Sequence, residues 1–303
     1  MENILAIVIP AYKSTYFKAS LESIANQTNK NFKLYICDDG SKENLFSIAE
    51  EYKNKINFVY KRFEDNIGGK DLVAHWNRSV ALAKEKWIWL FSDDDLLTPN
   101  CVQAFFDALN NTASTYNIYR FNIEMIDSKD QVICVKERHP ELESNYDFLT
   151  RRLQARCLSA VIEYVFRKDV FEELNGFVNF PLATASDDAS WIMFSKDKPI
   201  FTISSDIIYW RSSGANISSK KGLQEIKAKA LIEFVHWMLN YFPAHKEEIL
   251  GLTEAWYYES LKYIGGKLSV FVTYKIAKEF TNIYPVKKTS YFFWRIFLVK
   301  PSN

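Results

Sequence analysis

The chain is expected to fold as an α/β protein around a mostly parallel, doubly wound sheet, and three features of its 303 residues say so. Between Leu5 and Phe91, short apolar runs alternate four times with amphipathic stretches, the order of βα units in a parallel sheet. Runs such as Leu5–Ile9 (LAIVI) and Trp87–Phe91 (WIWLF) are apolar without interruption, as in strands covered on both faces. The runs end in residues suited to chemistry: Pro10-Ala11-Tyr12, Asp38-Asp39-Gly40-Ser41 and Ser92-Asp93-Asp94-Asp95.

The first strand, Leu5–Ile9, stops at Pro10, which cannot donate to a sheet ladder. A helix follows from Tyr16 to Gln27 with Phe17, Leu21 and Ile24 on one face. Lys33–Cys37 is the second strand; Gly40 permits its turn, and Ser41 is placed to cap a helix carrying Leu45, Ile48 and Tyr52. Ile56–Tyr60 is a third strand. The glycines of Asn66-Ile67-Gly68-Gly69 allow close backbone approach to a ligand. Helix Lys70–Lys84 turns Val73, Trp76, Val80 and Ala83 inward and leads to the strand at Trp87.

Beyond helix Pro99–Leu109 the pattern changes. Asn117–Ile126 and Gln131–Val135 alternate about Asp127–Asp130 and predict antiparallel strands that extend the sheet. Leu158–Phe166 reads as a strand, and Lys168–Leu174 as a short helix closed by Asn175-Gly176. Ser186 is placed to cap a helix with Asp187 and Asp188 in its first turn. Pro199–Ile203 and Ile207–Trp210 are expected to be two strands. Leu223–Tyr241, His245–Tyr263, Val270–Tyr284 and Lys287–Val299 then have helical spacing. Residues 1–219 are therefore expected to form one domain and residues 220–303 a C-terminal helical extension.

Composition narrows the function. The net formal charge is +1, which gives no general reason to bind nucleic acid. The charge is uneven, however: Ser260–Asn303 carries +7 and the residues before it −6. Such asymmetry favours contact with an anionic surface. Cys37, Cys101, Cys134 and Cys157 show no Cys-x-x-Cys pairing, as expected of reduced thiols in the cytoplasm. No run approaches the ~20 apolar residues of a membrane span. Lys287–Lys300 (KKTSYFFWRIFLVK) combines a basic flank with aromatics, which suits a helix lying on the inner face of the plasma membrane. The same run is apolar nearly all round, as buried helices are, which suits a packing element on the catalytic domain or a homodimer seam better.

Three adjacent carboxylates repel and need water or a cation. Asp93–Asp95 can be a solvated loop before a helix, but the end of a buried parallel strand is where open α/β sheets bind ligands. Hard oxygen ligands there suit Mg²⁺ or Mn²⁺ bridging a phosphate. Asp187 and Asp188 taken alone complement a helix dipole. There is no Gly-x-Gly-x-x-Gly after the first strand and no P-loop, which argues against dinucleotide oxidoreductases and P-loop phosphoryl transfer.

The order IVIPAY, YICDDGS, NIGG, WLFSDDDLLTP, NGF…SDDASW and WRSSGANIS resembles the family 2 glycosyltransferases, over residues 4–219. The resemblance implies a Rossmann-like GT-A fold binding a nucleotide-sugar, with UDP as the expected nucleotide. Pro10, Ala11 and Tyr12 would line base and ribose, Asp39 beside Asp38 would meet the uracil, and Lys70 would lie near base or phosphate. Asp93 would face the ribose, and Asp94 or Asp95 a divalent cation, Mn²⁺ or Mg²⁺. Asp188 matches the usual catalytic base. Asp187, Arg211 and Ser213 would contact donor or diphosphate, Ser213 standing where the family often has a histidine.

The implied reaction inverts the anomeric carbon as a hexosyl or N-acetylhexosaminyl group passes to a saccharide or lipid-linked hydroxyl in cell-surface polysaccharide biosynthesis. The competing expectation is a catalytically silent sugar- or nucleotide-binding protein of the same fold.

Overall fold

A computed structural model describes residues 4–212, 222–264 and 270–283. Strand and helix alternate from the start: β1 (Leu5–Ala11), α1 (Phe17–Ala25), β2 (Lys33–Asp38), α2 (Leu45–Glu50), β3 (Phe58–Arg62), α3 (Leu72–Val80) and β4 (Trp87–Leu90). Next come β5 (Leu96–Leu97), α4 (Cys101–Asn111), β6 (Ile118–Ile126), β7 (Val132–Cys134), β8 (Leu142–Glu143) and α5 (Asn145–Leu153). Then follow β9 (Tyr164–Arg167), α6 (Lys168–Glu173), α7 (Ser186–Ser195), β10 (Ile200–Arg211), α8 (Gln224–Tyr241), α9 (Lys246–Ile264) and α10 (Val270–Ile283). Ser213 and the expected helix Lys287–Val299 lie outside the described residues.

The main path of the sheet runs β3-β2-β1-β4-β9-β6-β10-β5. Its first four strands are parallel, as expected. β9 is antiparallel to both β4 and β6, so β6 and the parallel β10 regain the direction of β4. One sheet edge therefore gathers the carboxyl ends of β1, β2, β4, β6 and β10 with the amino end of β9. That edge is where the chemistry-bearing loops meet.

Two apolar layers cover the sheet. Alternation along β1 sends Leu5, Ile7 and Ile9 toward α1, α2 and α4, and Ala6 and Val8 toward α3, α7 and α8. On the first face Trp89 stacks on Phe121 at 5.1 Å between ring centroids, and its indole N–H donates to the Ile162 carbonyl at 2.6 Å. Burying such a ring stabilises the fold by about 1.5–3 kcal/mol for its area alone. On the second face α8 adds Ala230, Phe234, Val235 and Met238 to the core that α7 also fills. A separate cluster holds α8, α9 and α10 together through residues such as Leu231, Tyr257 and Ile276.

Some elements differ from expectation for local reasons. Val161–Glu163 form a 3₁₀ turn, so of the expected Leu158–Phe166 strand only Tyr164–Phe166 pair, and β9 continues one residue further to Arg167. The two expected strands after Pro199 are one, β10, whose register shifts between Ile203 and Ile207 to let Ser204 and Ser205 bulge into solvent. Ser41 does not cap α2; Asn44 does, accepting from the Ser47 N–H at 3.2 Å. Ser41 instead ties β2 to β1, its hydroxyl donating to the Tyr12 carbonyl at 2.6 Å. Ser186 lies inside α7 rather than at its cap, and its hydroxyl accepts from the Phe180 N–H at 2.9 Å.

Candidate active site

β4 is buried throughout and delivers Ser92–Asp95 to the sheet edge. Asp93 reaches back across the edge: its Oδ2 accepts from the backbone N–H of both Tyr12 and Lys13, each at 2.8 Å. The Ser20 hydroxyl holds the Ser92 carbonyl at 2.9 Å, and the Ser92 hydroxyl donates to Asp94 Oδ1. Asp95 is buried, and its Oδ1 accepts from the Arg211 N–H at 2.6 Å. The acid loop is thus pinned to β1, α1 and β10 at once.

Arg211 enters this site differently from the expected diphosphate contact. Its guanidinium is buried beneath the loop, donating from Nε to the Asp94 carbonyl at 2.7 Å and from Nη1 to the Asp127 carbonyl at 3.0 Å. It also pairs with Asp130 and lies 4.3 Å from the Tyr16 ring. Arg211 positions the acids.

The three carboxylates are strained electrostatically. Burial, then the neighbouring Asp94 charge, pushes Asp93 up to about 6. Burial also raises Asp94, and burial with Asp94 beside it raises Asp95 well above the carboxylate range. Among the described residues, no group of three or more His, Cys, Asp or Glu side chains converges as a self-sufficient metal cage. A small hard cation does not need one: Mg²⁺ is commonly held by one or two carboxylates plus substrate phosphates. Asp94 and Asp95, adjacent and resisting ionisation, fit that limited donor set.

At the end of β2 the two acids have separate surroundings. Asp38, expected among the nucleotide contacts, is fully buried and anchors the turn. Its Oδ2 accepts from the Tyr60 hydroxyl and from Arg62 Nη1, each at 2.6 Å, and its Oδ1 accepts from the Ser41 N–H at 2.7 Å. With both oxygens engaged from within, it is a structural acid. Asp39 accepts from the Gly68 N–H at 2.9 Å and the Ile67 N–H at 3.2 Å, and pairs with Arg78. A Cβ on Gly68 would lie 2.7 Å from the Asp39 carboxylate, so glycine is what lets the loop close on it.

Sequence reasoning missed the group behind Asp39. The Arg78 guanidinium stacks 3.7 Å from the Phe63 ring centroid, and its Nε donates to His75 Nδ1 at 3.0 Å. Burial and the Arg78 charge bring His75 down to about 4, so it is neutral. The spacing of His75 and Arg78 on one helix face was the available signal. At the carboxyl end of β1, Ala11 is buried and can offer only backbone and Pro10 is half-buried, while Tyr12 just beyond the strand is exposed. Lys70 is exposed beside the glycine loop, its N–H donating to the Ile67 carbonyl at 2.9 Å.

The second acid pair opens α7. Leu182, Ala183 and Ala185 all take left-handed backbone (φ 58°, 55° and 61°) immediately before it. Three non-glycine residues so placed within four positions mark a segment held against its local preference, as at many functional sites. Asp188 is buried and meets Arg152 side-on: Nε lies 3.1 and 3.0 Å from the two oxygens and Nη2 lies 2.9 Å from Oδ2. Asp187 is half-buried, and burial followed by the Asp188 charge raises it to about 7. Arg152 Nη1 also donates to the Cys157 carbonyl at 3.0 Å, tying the pair to the segment that enters β9 at the same sheet edge.

The family model described as Glycosyl transferase family 2 matches residues 6–168, more than half the chain. The Escherichia coli UDP-Glc:alpha-D-GlcNAc-diphosphoundecaprenol beta-1,3-glucosyltransferase WfgD is 26% identical over 255 residues, covering 79% of this chain and 92% of that protein. An uncharacterized glycosyltransferase of Rickettsia prowazekii, RP339, is 31% identical over 135 residues, 44% of this chain and 41% of its own length.

Among solved structures, Staphylococcus aureus TarS 1–349 superposes with a TM-score of 0.70 at 17% identity, covering 95% of this chain and 82% of that one. Its complex with UDP-GlcNAc gives 0.64 at 17% identity, covering 97% and 90%. The Pyrobaculum calidifontis mannosyltransferase PcManGT, in complex with GDP-Man and Mn2+, gives 0.59 at 12% identity, covering 98% and 87%. At these identities the structural likeness shows the fold.

Proposed function

Because the chain belongs to glycosyl transferase family 2 and is a glycosyltransferase, we propose that it moves a sugar from a UDP-sugar to a hydroxyl of a saccharide or lipid-linked acceptor, with inversion. One observation carries the donor-site reading. Asp93 accepts from Tyr12 and Lys13, residues about eighty positions away, so the first strand's end and the acid loop form one surface. Tyr12, Asp39 and Lys70 border that surface as the base and phosphate contacts. Asp94 and Asp95 would hold a divalent cation, whose chemistry when bound is to neutralise charge on the departing diphosphate. Uridine is supported by the name of WfgD and the UDP-GlcNAc complex of TarS.

On the acceptor side, Asp188 is the base. The acceptor oxygen bonds to the anomeric carbon as the bond to the diphosphate oxygen breaks, and Asp188 takes the hydroxyl proton. Arg211 stays beneath the acid loop as its positioning residue.

No helix among the described residues is long and apolar enough to cross a membrane. Contact with a lipid surface at the cytoplasmic face is proposed instead, supported by α10. There Phe271 (65% exposed), Tyr274 (59% exposed), Lys275 and Lys278 share one solvent face, with Val272 and Ile276 buried on the other. Basic residues beside aromatics suit an interfacial helix. Co-sedimentation of the intact protein with anionic vesicles at low salt is its test; a protein left in the supernatant removes the idea.

The activity itself is tested by incubating wild type and Asp188→Asn with UDP-sugars and a polyprenyl-diphosphate-linked saccharide. Transfer by wild type alone supports the proposal. UDP binding without turnover by wild type would favour a silent binding protein.

A further inference from the structure

The acceptor-side carboxylate is held by a device that the donor site does not share. α5 ends in two adjacent arginines whose side chains leave it in different directions. Arg151 Nη1 donates to Glu143 Oε1 at 2.9 Å, and its Nη2 donates to the Arg138 carbonyl at 3.1 Å. Arg120 pairs with the other Glu143 oxygen, and His139 Nδ1 lies 3.5 Å from it. All four side chains are buried. Burial opposes the Glu143 charge, but the hydrogen bond of His139 and the two arginines outweigh it and bring Glu143 down to about 2. An ion cluster of this kind is costly to disturb from either side. It fixes the last turn of α5 and with it the root of Arg152.

Arg152 then meets Asp188 with Nε and Nη2 while Nη1 is held by the Cys157 carbonyl. The guanidinium is planar and rigid, so contact at both ends sets the plane of the carboxylate as well as its place. A carboxylate has about four lone-pair sites, and a side-on guanidinium engages two. The rest remain available in fixed directions. Asp188 is also faced by Asp187 on its own helix, by Cys157, and by Tyr164 on β9.

We propose that Arg152 is the positioning residue for proton removal: it aims Asp188 at the acceptor hydroxyl, while the Arg120–Glu143–Arg151 cluster keeps Arg152 in place. This rests on Asp188 being the base. Removing the guanidinium frees the carboxylate to rotate away from the direction in which the acceptor hydroxyl must be met. Arg152 contacts neither reacting atom in this scheme.

The test is kcat and donor KM for Arg152→Met, Arg152→Lys and Asp188→Asn, with the folded fraction checked by circular dichroism. Arg152→Met is expected to lower kcat roughly 10–100-fold, the effect of a misplaced reacting group, with donor KM unchanged. Arg152→Lys is expected to recover part of the loss, with donor KM again unchanged. A wild-type kcat in folded Arg152→Met overturns the proposal. If that variant does not fold, the same wild-type result in Arg152→Lys, which keeps the charge but loses the fork, overturns it. Transfer by Asp188→Asn at the wild-type rate removes the base assignment itself, whereas an inactive Asp188→Asn beside a fully active Arg152→Met removes only the role of Arg152.

Discussion

The proposed donor half of the site and its proposed acceptor half are built by different means. From β1 to the acid loop, consecutive βα units bring the loops to one edge. The key carboxylates are then held largely by backbone N–H groups: Asp93 by Tyr12 and Lys13, Asp39 by Ile67 and Gly68, Asp95 by Arg211. From β8 to α7, order comes from charged side chains far apart in sequence and from left-handed backbone before α7. Backbone donors are present whatever the side chains are. Side-chain clamps can be removed one at a time. The halves should therefore fail separately, and mutation can show whether they do.

The largest effect is expected in the acceptor half. Asp188→Asn should lose transfer by about 10²–10⁴-fold, the usual contribution of a general base, measured as turnover at saturating donor. A loss below tenfold would place the base elsewhere. Next, Glu143→Gln leaves Arg120 and Arg151 buried with a weakened partner. Breaking such a cluster costs about 3–5 kcal/mol, to be read as a lower urea midpoint at unchanged slope. A shift under 1 kcal/mol would mean that the cluster does not hold α5.

In the donor half, Gly68→Ala places a methyl against the Asp39 carboxylate. Calorimetric titration of UDP should weaken by roughly tenfold, about 1.4 kcal/mol, with acceptor-side stability untouched. Wild-type affinity would show that the Asp39 loop is not part of the nucleotide site.

A smaller effect separates the two acids of α7. Asp187 has a folded pKa of about 7, above its ordinary value near 4, so the folded state binds this proton more tightly than the unfolded chain. Its ionisation costs stability in full above pH 7, and the cost fades as pH falls toward 4. Asp187→Asn should melt above wild type at pH 8, by on the order of 5 °C, with the gap narrowing below pH 7 and closing only near pH 4. A gap independent of pH would contradict the burial of that charge.

The contrast also explains how legible each half was. Continuous apolar strands and the Gly68-Gly69 loop are local signals, and the parallel half of the sheet and its acid loop follow from them, although β1 runs through Pro10 to Ala11 rather than stopping at the proline. The sequence does not reveal that Asp38 faces inward and Asp39 toward the glycine loop, because that depends on Tyr60 and Arg62 arriving from β3. Arg152 and Arg211 carry ordinary local patterns. One sits in the last turn of a helix and the other at a strand end, and their partners lie 36 and more than a hundred residues away. The 3₁₀ turn that shortens β9 depends on the Trp89 indole, 73 residues distant from Ile162. Long-range side-chain pairing leaves no periodic mark.

The central claim is that the acid loop and first strand form a metal-assisted nucleotide site that does not depend on the acceptor half. It is tested most directly by titrating UDP, with Mn²⁺ and with EDTA, into wild type, Asp94→Ala and Asp188→Asn. The account predicts binding that weakens strongly in EDTA and in Asp94→Ala, and an affinity in Asp188→Asn within about twofold of wild type. Affinity indifferent to EDTA and to Asp94→Ala, or lost equally in Asp188→Asn, would contradict it.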